Sequence, residues 1–301
     1  MHIRMLVTRL MTVAICLTAA AVIWQTQAAA ARGKGAGQAA EKLDDASCLT
    51  CHGEKSPALK VKAADGKPRP LRAIAEGKYR KGVHAEMSCV GCHTDISDSR
   101  APHKKVATPK ASCVTCHEGM WETAQKQNLT REKERLGIVV QNIAAYKNSY
   151  HARPNTDDPT HPNASCDNCH DTHYFNVPPR GTARRTDWHL TIPTVCGEQC
   201  HTEQLEAYAG SVHGSEVMDK HNPKAATCTD CHTTHAIANT SRDTTKLLIV
   251  ENCGGCHLEN FASYGDTYHG QVARLGYAYT AKCYNCHGSH DILKVDNPKS
   301  T

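Results

Sequence analysis

The chain has 301 residues and a formal net charge of +5 with histidine neutral. It contains two Phe and three Trp, which excludes a hydrophobic core built from large aromatic side chains. It also contains 17 Cys and 20 His, and the spacing of these residues carries most of the information in the sequence.

The N-terminal stretch has the pattern of an export signal. Arg4 and Arg9 flank a polar start, residues 10–24 form an uncharged apolar run of fifteen residues, and an alanine run follows. A positive region, a short apolar region and a small-residue cleavage zone make up a signal peptide. We therefore expect a signal peptide over residues 1–31 and a flexible lead-in over 32–47. An uncleaved membrane anchor is the alternative, although fifteen residues fall short of the about 20 that a span needs.

From residue 48 onwards one short pattern recurs eight times. Seven copies read CxxCH, and the copy at 196–201 reads CxxxCH. This pattern is the attachment signature of a c-type haem, in which both thiols bind the porphyrin and the histidine ligates the iron from the proximal side. The expected haem-attaching residues are Cys48, Cys51, Cys89, Cys92, Cys113, Cys116, Cys166, Cys169, Cys196, Cys200, Cys228, Cys231, Cys253, Cys256, Cys283 and Cys286. The expected proximal ligands are His52, His93, His117, His170, His201, His232, His257 and His287.

Zinc binding or a disulfide would explain a single CxxCH as well as a haem does. Zinc, however, needs four ligands at each site and no histidine after every second cysteine. Disulfides within the motifs would leave eight histidines unexplained. The sequence therefore predicts eight covalently bound haems c with their iron, and the apolar porphyrins would supply the core that the chain lacks.

The haems also change the meaning of the positive charge. Signal removal lowers the charge of the chain to +3. Eight haems add sixteen ionised propionates, and each ferric porphyrin core carries one positive charge, so the oxidised, mature protein would have a net charge of about −5. Binding to nucleic acid is therefore not expected. Lys and Arg side chains are expected to pair with propionates instead.

The motifs fall into four two-haem modules, over residues 48–112, 113–195, 196–252 and 253–301, of which the first is divergent. Each module has a Tyr-x4-His element between its two motifs, and the last three have a further His three residues after the second motif. These two classes give the expected distal iron ligands, which are His84, His151, His213 and His269 from the first class and His173, His235 and His290 from the second. His103, the next His after the second motif of the first module, makes an eighth, with His189 as its alternative.

A solvated or propionate-bonded histidine is the alternative for any one of these positions. Their repetition at fixed spacing favours ligation. A His three residues after a motif cannot easily reach the iron above its own proximal His. We therefore expect it to ligate a neighbouring haem.

The expected fold is mainly α with extensive irregular structure, packed around haems, with little or no β-sheet. Short helices are expected after His117, His201 and His257. The largest insertion, Gln125 to Ala145, is expected to be a helix with a charged start and an apolar end. The Lys- and Pro-rich stretch from Lys60 to Arg72 is expected to be a loop, and Thr245 to Val250 a helical turn or an extended link.

These motifs resemble the periplasmic multihaem cytochromes c, and most closely octahaem members with CxxCH-x-x-H sites preceded by a His-Gly element. The resemblance covers residues 48–293. It implies electron carriage between quinol-oxidising membrane cytochromes and periplasmic or outer-surface acceptors. Related octahaem and pentahaem proteins are enzymes that reduce nitrite or tetrathionate or oxidise hydroxylamine. Many of those nitrite reductases carry a CxxCK haem, and this chain has no such motif.

Three functions follow as expectations. The first is an octahaem electron carrier in the periplasm or at the surface of a Gram-negative bacterium. It would accept electrons from a membrane cytochrome b or another quinol oxidoreductase and pass them to a periplasmic or outer-membrane acceptor. The second is an oxidoreductase of nitrogen or sulfur compounds with one five-coordinate haem, beside which His161, His189 or His221 would act as a proton donor. The third is a subunit that self-associates into haem-stacked oligomers or an extracellular filament.

Overall fold

The computed structural model describes residues 43–56, 59–62, 66–71, 73–99, 103 and 112–300. The predicted signal peptide, which includes Cys16, and most of the predicted lead-in lie outside these residues. No helix in the described ranges is both long enough and apolar enough to cross a membrane.

The described residues are mainly helical, as the sequence predicted. The helices are Asp45–His52, Glu76–Tyr79, Cys89–Cys92, Cys113–Lys126, Glu134–Lys147, Cys166–Cys169, Ala183–Leu190, Ile192–Gly197, Thr202–Ala209, Val212–Gly214, Cys228–His232, Asp243–Gly254, Leu258–Asp266, Tyr268–Arg274 and Cys283–His287. A π-helical turn, Ser215–Asp219, directly follows the helix Val212–Gly214.

A two-stranded antiparallel ribbon lies where a loop was expected. The strand Lys60–Lys62 pairs with Pro68–Pro70, with Lys60 opposite Pro70. Proline cannot donate to a strand ladder, which argued against strands here. A two-stranded ribbon consists only of edge strands, and edge strands accept proline because their outer N–H groups need no partner.

The helices expected after three first motifs are present, as Cys113–Lys126, Thr202–Ala209 and Leu258–Asp266. In the last two, one apolar side chain sits directly against a glycine of the preceding motif. Leu205 packs on Gly197 and Phe261 packs on Gly254, so closely that a Cβ atom on either glycine would collide with the side chain.

The insertion from Gln125 to Ala145 is interrupted near its start. The helix that begins at Cys113 continues to Lys126, and Asn128 then adopts a left-handed φ of 58°. Helix resumes only at Glu134 and runs to Lys147. Asparagine is one of the few residues that tolerate this conformation, so it ends the first helix. The charged start thus lies mostly in the turn, and the apolar part forms the helix.

The stretch from Thr245 to Val250 lies inside the full helix Asp243–Gly254 rather than in a turn or an extended link. Its β-branched residues have a slightly low helix propensity, and tertiary packing overrides differences in propensity of this size. Thr245 and Val250 are both buried.

The buried apolar residues are few and small for the size of the chain. Among the described residues they are Ala75, Ala124, Ile143, Ile192, Tyr208, Val217, Val250, Ala273 and Ala278. Domains of this size are normally stabilised by a much larger apolar core.

The chain divides into two compact units. One comprises Met1–Cys51 and Ser88–Pro109, and the other comprises His52–Met87 and Lys110–Thr301. The second unit contains the second, third and fourth modules and the Tyr-x4-His element of the first.

Candidate haem centres

The leading cysteines of the two motifs in each module lie side by side. The pairs whose thiols are within hydrogen-bonding reach are Cys48 with Cys89, Cys113 with Cys166, Cys196 with Cys228, and Cys253 with Cys283. In the first pair, burial and the neighbouring Asp45 raise the pKa of Cys89 to about 12. The same contact thus recurs in all four modules and brings the two predicted attachment points of a module together.

The second motif of the last three modules caps its own helix. The third residue of the motif is Asn168, Asp230 or Asn285, and its side-chain oxygen accepts the backbone N–H of the residue before the first cysteine at 2.7, 2.7 and 3.0 Å. Side chains of this kind satisfy backbone donors that a helix start leaves open. The motif therefore holds its cysteines on a short, capped helix, which also includes the histidine in the third and fourth modules.

The tyrosine of each Tyr-x4-His element is hydrogen-bonded to the loop that leads into the second motif. Its hydroxyl donates to the carbonyl two residues before the first cysteine, in the bonds Tyr79–Met87 at 2.7 Å, Tyr146–Ala164 at 2.8 Å, Tyr208–Ala226 at 2.7 Å and Tyr264–Ala281 at 2.8 Å. The tyrosine thus links the Tyr-x4-His element to the neighbouring motif. The sequence showed the regular spacing of these tyrosines but not this partner.

The residues around two predicted distal histidines form a tight turn. Ser211 Oγ accepts the N–H of Gly214 at 2.9 Å, and its hydroxyl donates to the carbonyl of Tyr208 at 2.7 Å. A Cβ atom on Gly214 would collide with that same carbonyl. Thr267, Gly270 and Tyr264 repeat this arrangement in the fourth module. Glycine after the histidine is therefore required by close backbone packing.

Five pairs of imidazole rings face each other in the second unit, and every pair joins one predicted proximal His to one predicted distal His. The pairs and their centroid distances are His117 with His84 at 6.0 Å, His201 with His151 at 6.2 Å, His257 with His213 at 6.1 Å, His170 with His235 at 6.2 Å, and His232 with His290 at 6.0 Å. None of these five pairs joins two predicted proximal or two predicted distal histidines.

The pairs follow two rules along the repeat, one for each class of predicted distal histidine. The His of a Tyr-x4-His element faces the first-motif His of the next module, as His213 faces His257. The plus-three His faces the second-motif His of the preceding module, as His290 faces His232. Each of the five paired, predicted distal histidines therefore faces a histidine of a neighbouring module.

A backbone hydrogen bond recurs at the same boundaries. The residue before the Tyr-x4-His histidine donates its N–H to the carbonyl two residues after the plus-three histidine of the next module. These bonds are Val83 to Phe175 at 3.0 Å, Tyr150 to Ile237 at 2.7 Å and Val212 to Ile292 at 2.8 Å. Successive modules therefore dock in one repeated geometry.

The spacing of the imidazole pairs fits an iron ligated from both sides. A histidine nitrogen ligates a transition metal at about 2 Å, and its ring centroid lies about 1.2 Å behind that nitrogen, so trans imidazoles place their centroids about 6.4 Å apart. The five observed distances span only 6.0 to 6.2 Å, while the angles between the rings vary from 27° to 67°. Simple aromatic packing would let the distance vary with the angle, since ring pairs occupy a range of about 4.5–7 Å.

Eight of the ten paired histidines have a lowered pKa, which favours the neutral form that binds metal. Burial lowers the pKa of His170 to about 4, and the neighbouring His235 ring adds to the effect. Burial also lowers the pKa of seven other paired histidines, which are His84, His117, His151, His213, His232, His235 and His290. Neutral imidazole is the state that ligates iron.

Among the described residues, no group of three or more His, Cys, Asp or Glu converges as a metal site would. That observation is compatible with haem, because the porphyrin supplies four of the six iron ligands and the chain supplies two.

Two predicted ligands of the fourth module have no imidazole partner among the described residues. His287 forms no such pair, and His269 instead places its Nδ1 3.0 Å from Thr280 Oγ1. Four others make local contacts. His103 Nδ1 lies 2.9 Å from the carbonyl of Asp98, and the His173 ring lies 6.5 Å from that of Tyr174. The backbone carbonyl of His52 accepts the N–H of Ile74, and the His93 N–H donates to Cys89.

The three histidines that the repeat does not use lie apart from these pairs. His161 Nδ1 is 2.8 Å from Asp158, and its side chain is 75% exposed. His189 Nε2 is 3.2 Å from Asp230. His221 occupies a left-handed backbone position with φ of 51°. Within the described ranges, none of the three faces a predicted proximal histidine.

Comparison of the chain with family models, with curated proteins and with solved structures finds no match.

Proposed function

We propose that this chain is an octahaem c-type cytochrome that carries electrons outside the cytoplasm. The observation that supports it most strongly is the set of five proximal–distal imidazole pairs, which share one spacing and one register. A haem iron held by two histidines exchanges single electrons at a lower potential than one with a methionine ligand.

The chain's own residues would serve three purposes in this role. The sixteen motif cysteines would hold the haems covalently, and the two leading cysteines of each module would keep one pair of haems at neighbouring attachment points. The paired histidines would occupy both axial positions, so little rearrangement would accompany a change of redox state. The docked modules would place the chain of redox centres in a fixed order.

The proposed location and partners follow from this role. Haem is attached to CxxCH motifs outside the cytoplasm, which agrees with the signal-like N-terminus. The donor would be a membrane cytochrome b or another quinol oxidoreductase. The acceptor would be a periplasmic or outer-membrane redox protein or terminal reductase.

A second candidate is an oxidoreductase with one five-coordinate haem. One observation favours it, because His287 faces no imidazole among the described residues, and catalytic metal sites keep one position open.

Rapid mixing with a small redox dye and a trial of substrates separate these functions. The carrier should be reduced quickly by the dye over a broad, low range of potential and show no turnover with nitrite or hydroxylamine. Turnover of either substrate, lost in a His287→Ala variant, would reject the carrier in favour of the enzyme.

A further inference from the structure

The segment that links the second module to the third is longer than its counterpart one module later. His173 precedes Cys196 by 23 residues, whereas His235 precedes Cys253 by 18. Both segments run from a plus-three histidine to the first motif of the next module. The repeated fold therefore does not itself require the additional residues of the longer segment.

Two arginines of this longer segment line one cavity. The cavity has a volume of about 350 Å³, which lies within the range of about 300–1,000 Å³ found for small-ligand sites. Its wall includes Arg180, Arg185, Trp188, His189 and Asp230. Burial lowers the pKa of Arg185, and the positive charge of Arg180 adds to this effect, so the two guanidinium groups lie near each other.

The neighbours of Arg185 hold its side chain without neutralising its charge. The Cζ atom lies 4.6 Å from the centre of the Trp188 ring, and Nη1 donates to the carbonyl of Pro178 at 3.4 Å. Neither Arg185 nor Arg180 forms an ion pair with a carboxylate of the described residues. A guanidinium group has five N–H donors. Most of the donors of both groups are therefore available to a ligand.

Asp230 is the acidic residue of the cavity wall, and its carboxylate is engaged by other groups. Its Oδ2 atom accepts the N–H of Thr227 at 2.7 Å and the Thr227 hydroxyl at 2.9 Å, and it lies 3.2 Å from His189 Nε2. These contacts keep the carboxylate in the cap of the neighbouring motif. Two guanidinium groups and one carboxylate leave the wall with a net positive charge.

We propose that Arg180 and Arg185 bind an oxyanion in this cavity. A planar guanidinium group matches two oxygens of one carboxylate, sulfate or phosphate group, and the hydrogen bonds it donates to them are charge-assisted. An anion beside both arginines would also offset the repulsion between their positive charges, which partial burial strengthens.

Two sources can supply such an oxyanion. One is a propionate group of a haem, and this source rests on the proposed function. The other is a free anion from the surrounding solution. Both present negatively charged oxygens to the same two arginines, so one set of variants can distinguish them.

Titration of the full-length holoprotein with sodium sulfate tests for the free anion. Calorimetry at constant ionic strength gives the affinity, because screening of the surface charges is then the same in every sample. Arg180→Gln and Arg185→Gln should each weaken sulfate binding by about tenfold or more, because each removes hydrogen bonds to a charged ligand. Arg184→Gln is the matched control, since it removes the same charge from an exposed residue outside the cavity wall.

Redox titration of the same variants tests for a haem propionate. If a propionate occupies the cavity, sulfate should not bind to the wild type. Arg180→Gln and Arg185→Gln should then each lower the reduction potential of one haem by more than Arg184→Gln does, because loss of a nearby positive charge favours the ferric iron. Arg180 is exposed and forms no described hydrogen bond, so the Arg180 variant separates loss of the ligand from damage to the fold.

Two results would overturn the proposal. The first is sulfate binding that all three variants weaken equally, which would reflect general attraction to surface charge. The second is an absence of sulfate binding together with the same haem potentials in all three variants. Intact-mass measurement of each sample separates these results from the proposed function. A haem count below eight would contradict the proposed function, whereas a full count with no anion bound by these arginines would reject only the oxyanion site.

Discussion

Removal of His213 should open one particular iron. His213 faces His257 with 6.1 Å between the ring centroids, and it is the only imidazole described opposite that proximal histidine. Alanine has no side-chain nitrogen that could ligate an iron in place of the imidazole. In a His213→Ala variant we therefore expect one of the eight proposed haems to become five-coordinate.

The assay is carbon monoxide titration of the reduced protein, with the wild type measured at the same concentration. The His213→Ala variant should bind one more carbon monoxide per chain than the wild type, and the oxidised variant should show a high-spin signal from one haem in eight. His221→Ala is the matched control, because His221 belongs to none of the imidazole pairs among the described residues. An increase in the His221 variant, or no increase in the His213 variant, would refute the assignment of ligands.

Two further variants test the elements that position these histidines. Tyr208→Phe removes the hydroxyl that bonds to Ala226 and should lower the free energy of unfolding by about 1–3 kcal/mol. Tyr150→Phe removes a hydroxyl that makes no described bond and should change that free energy little. Equal denaturation curves for the two variants would contradict this role of Tyr208. Gly214→Ala forces a Cβ atom into the carbonyl of Tyr208 and should cost about 1–3 kcal/mol, whereas Gly210→Ala should be tolerated because its Cβ atom would lie 3.6 Å from the nearest atom. Similar denaturant midpoints for the two glycine variants would argue against the tight turn.

The sequence was sufficient to predict the helical class. The ten histidines of the imidazole pairs are all among the expected iron ligands, and their ligation of iron stays a prediction. The repeated spacing of the motifs identified the two classes of predicted distal histidine, because the fold repeats the same local geometry in each module. It could not predict which proximal histidine each one faces. Those partners lie in neighbouring modules, and the separation between His151 and His201, for example, is set by docking between modules rather than by local spacing.

Other features depended on contacts that spacing does not reveal. The hydroxyl of Tyr208 reaches a carbonyl eighteen residues away, a partner that leaves no trace in residue type. The ribbon Lys60–Lys62 with Pro68–Pro70 was missed because proline normally argues against a strand. The break at Asn128 was missed because the residues around it, taken alone, favour a continuous helix.

The recurring contacts between cysteines allow an alternative to haem attachment, namely disulfide bonds between motifs. The thiols of Cys196 and Cys228 lie within hydrogen-bonding reach of each other, as do their counterparts in the other modules. In an oxidising compartment such neighbours could form disulfides between motifs. Thioether attachment to haem and disulfide formation consume the same sulfur atoms, so the two outcomes exclude each other at any one site.

Intact-mass measurement of the purified protein, with and without a thiol reductant, tests the central claim most directly. We predict the mass of the chain from the cleavage site plus eight haems, unchanged by reduction and without a free motif thiol. A polypeptide mass without haem, increased by reduction of disulfides, would contradict the account. A mass with seven haems would agree with haem attachment at the other sites. It would indicate that the haem is missing at Cys196 and Cys200, because this motif has an extra residue.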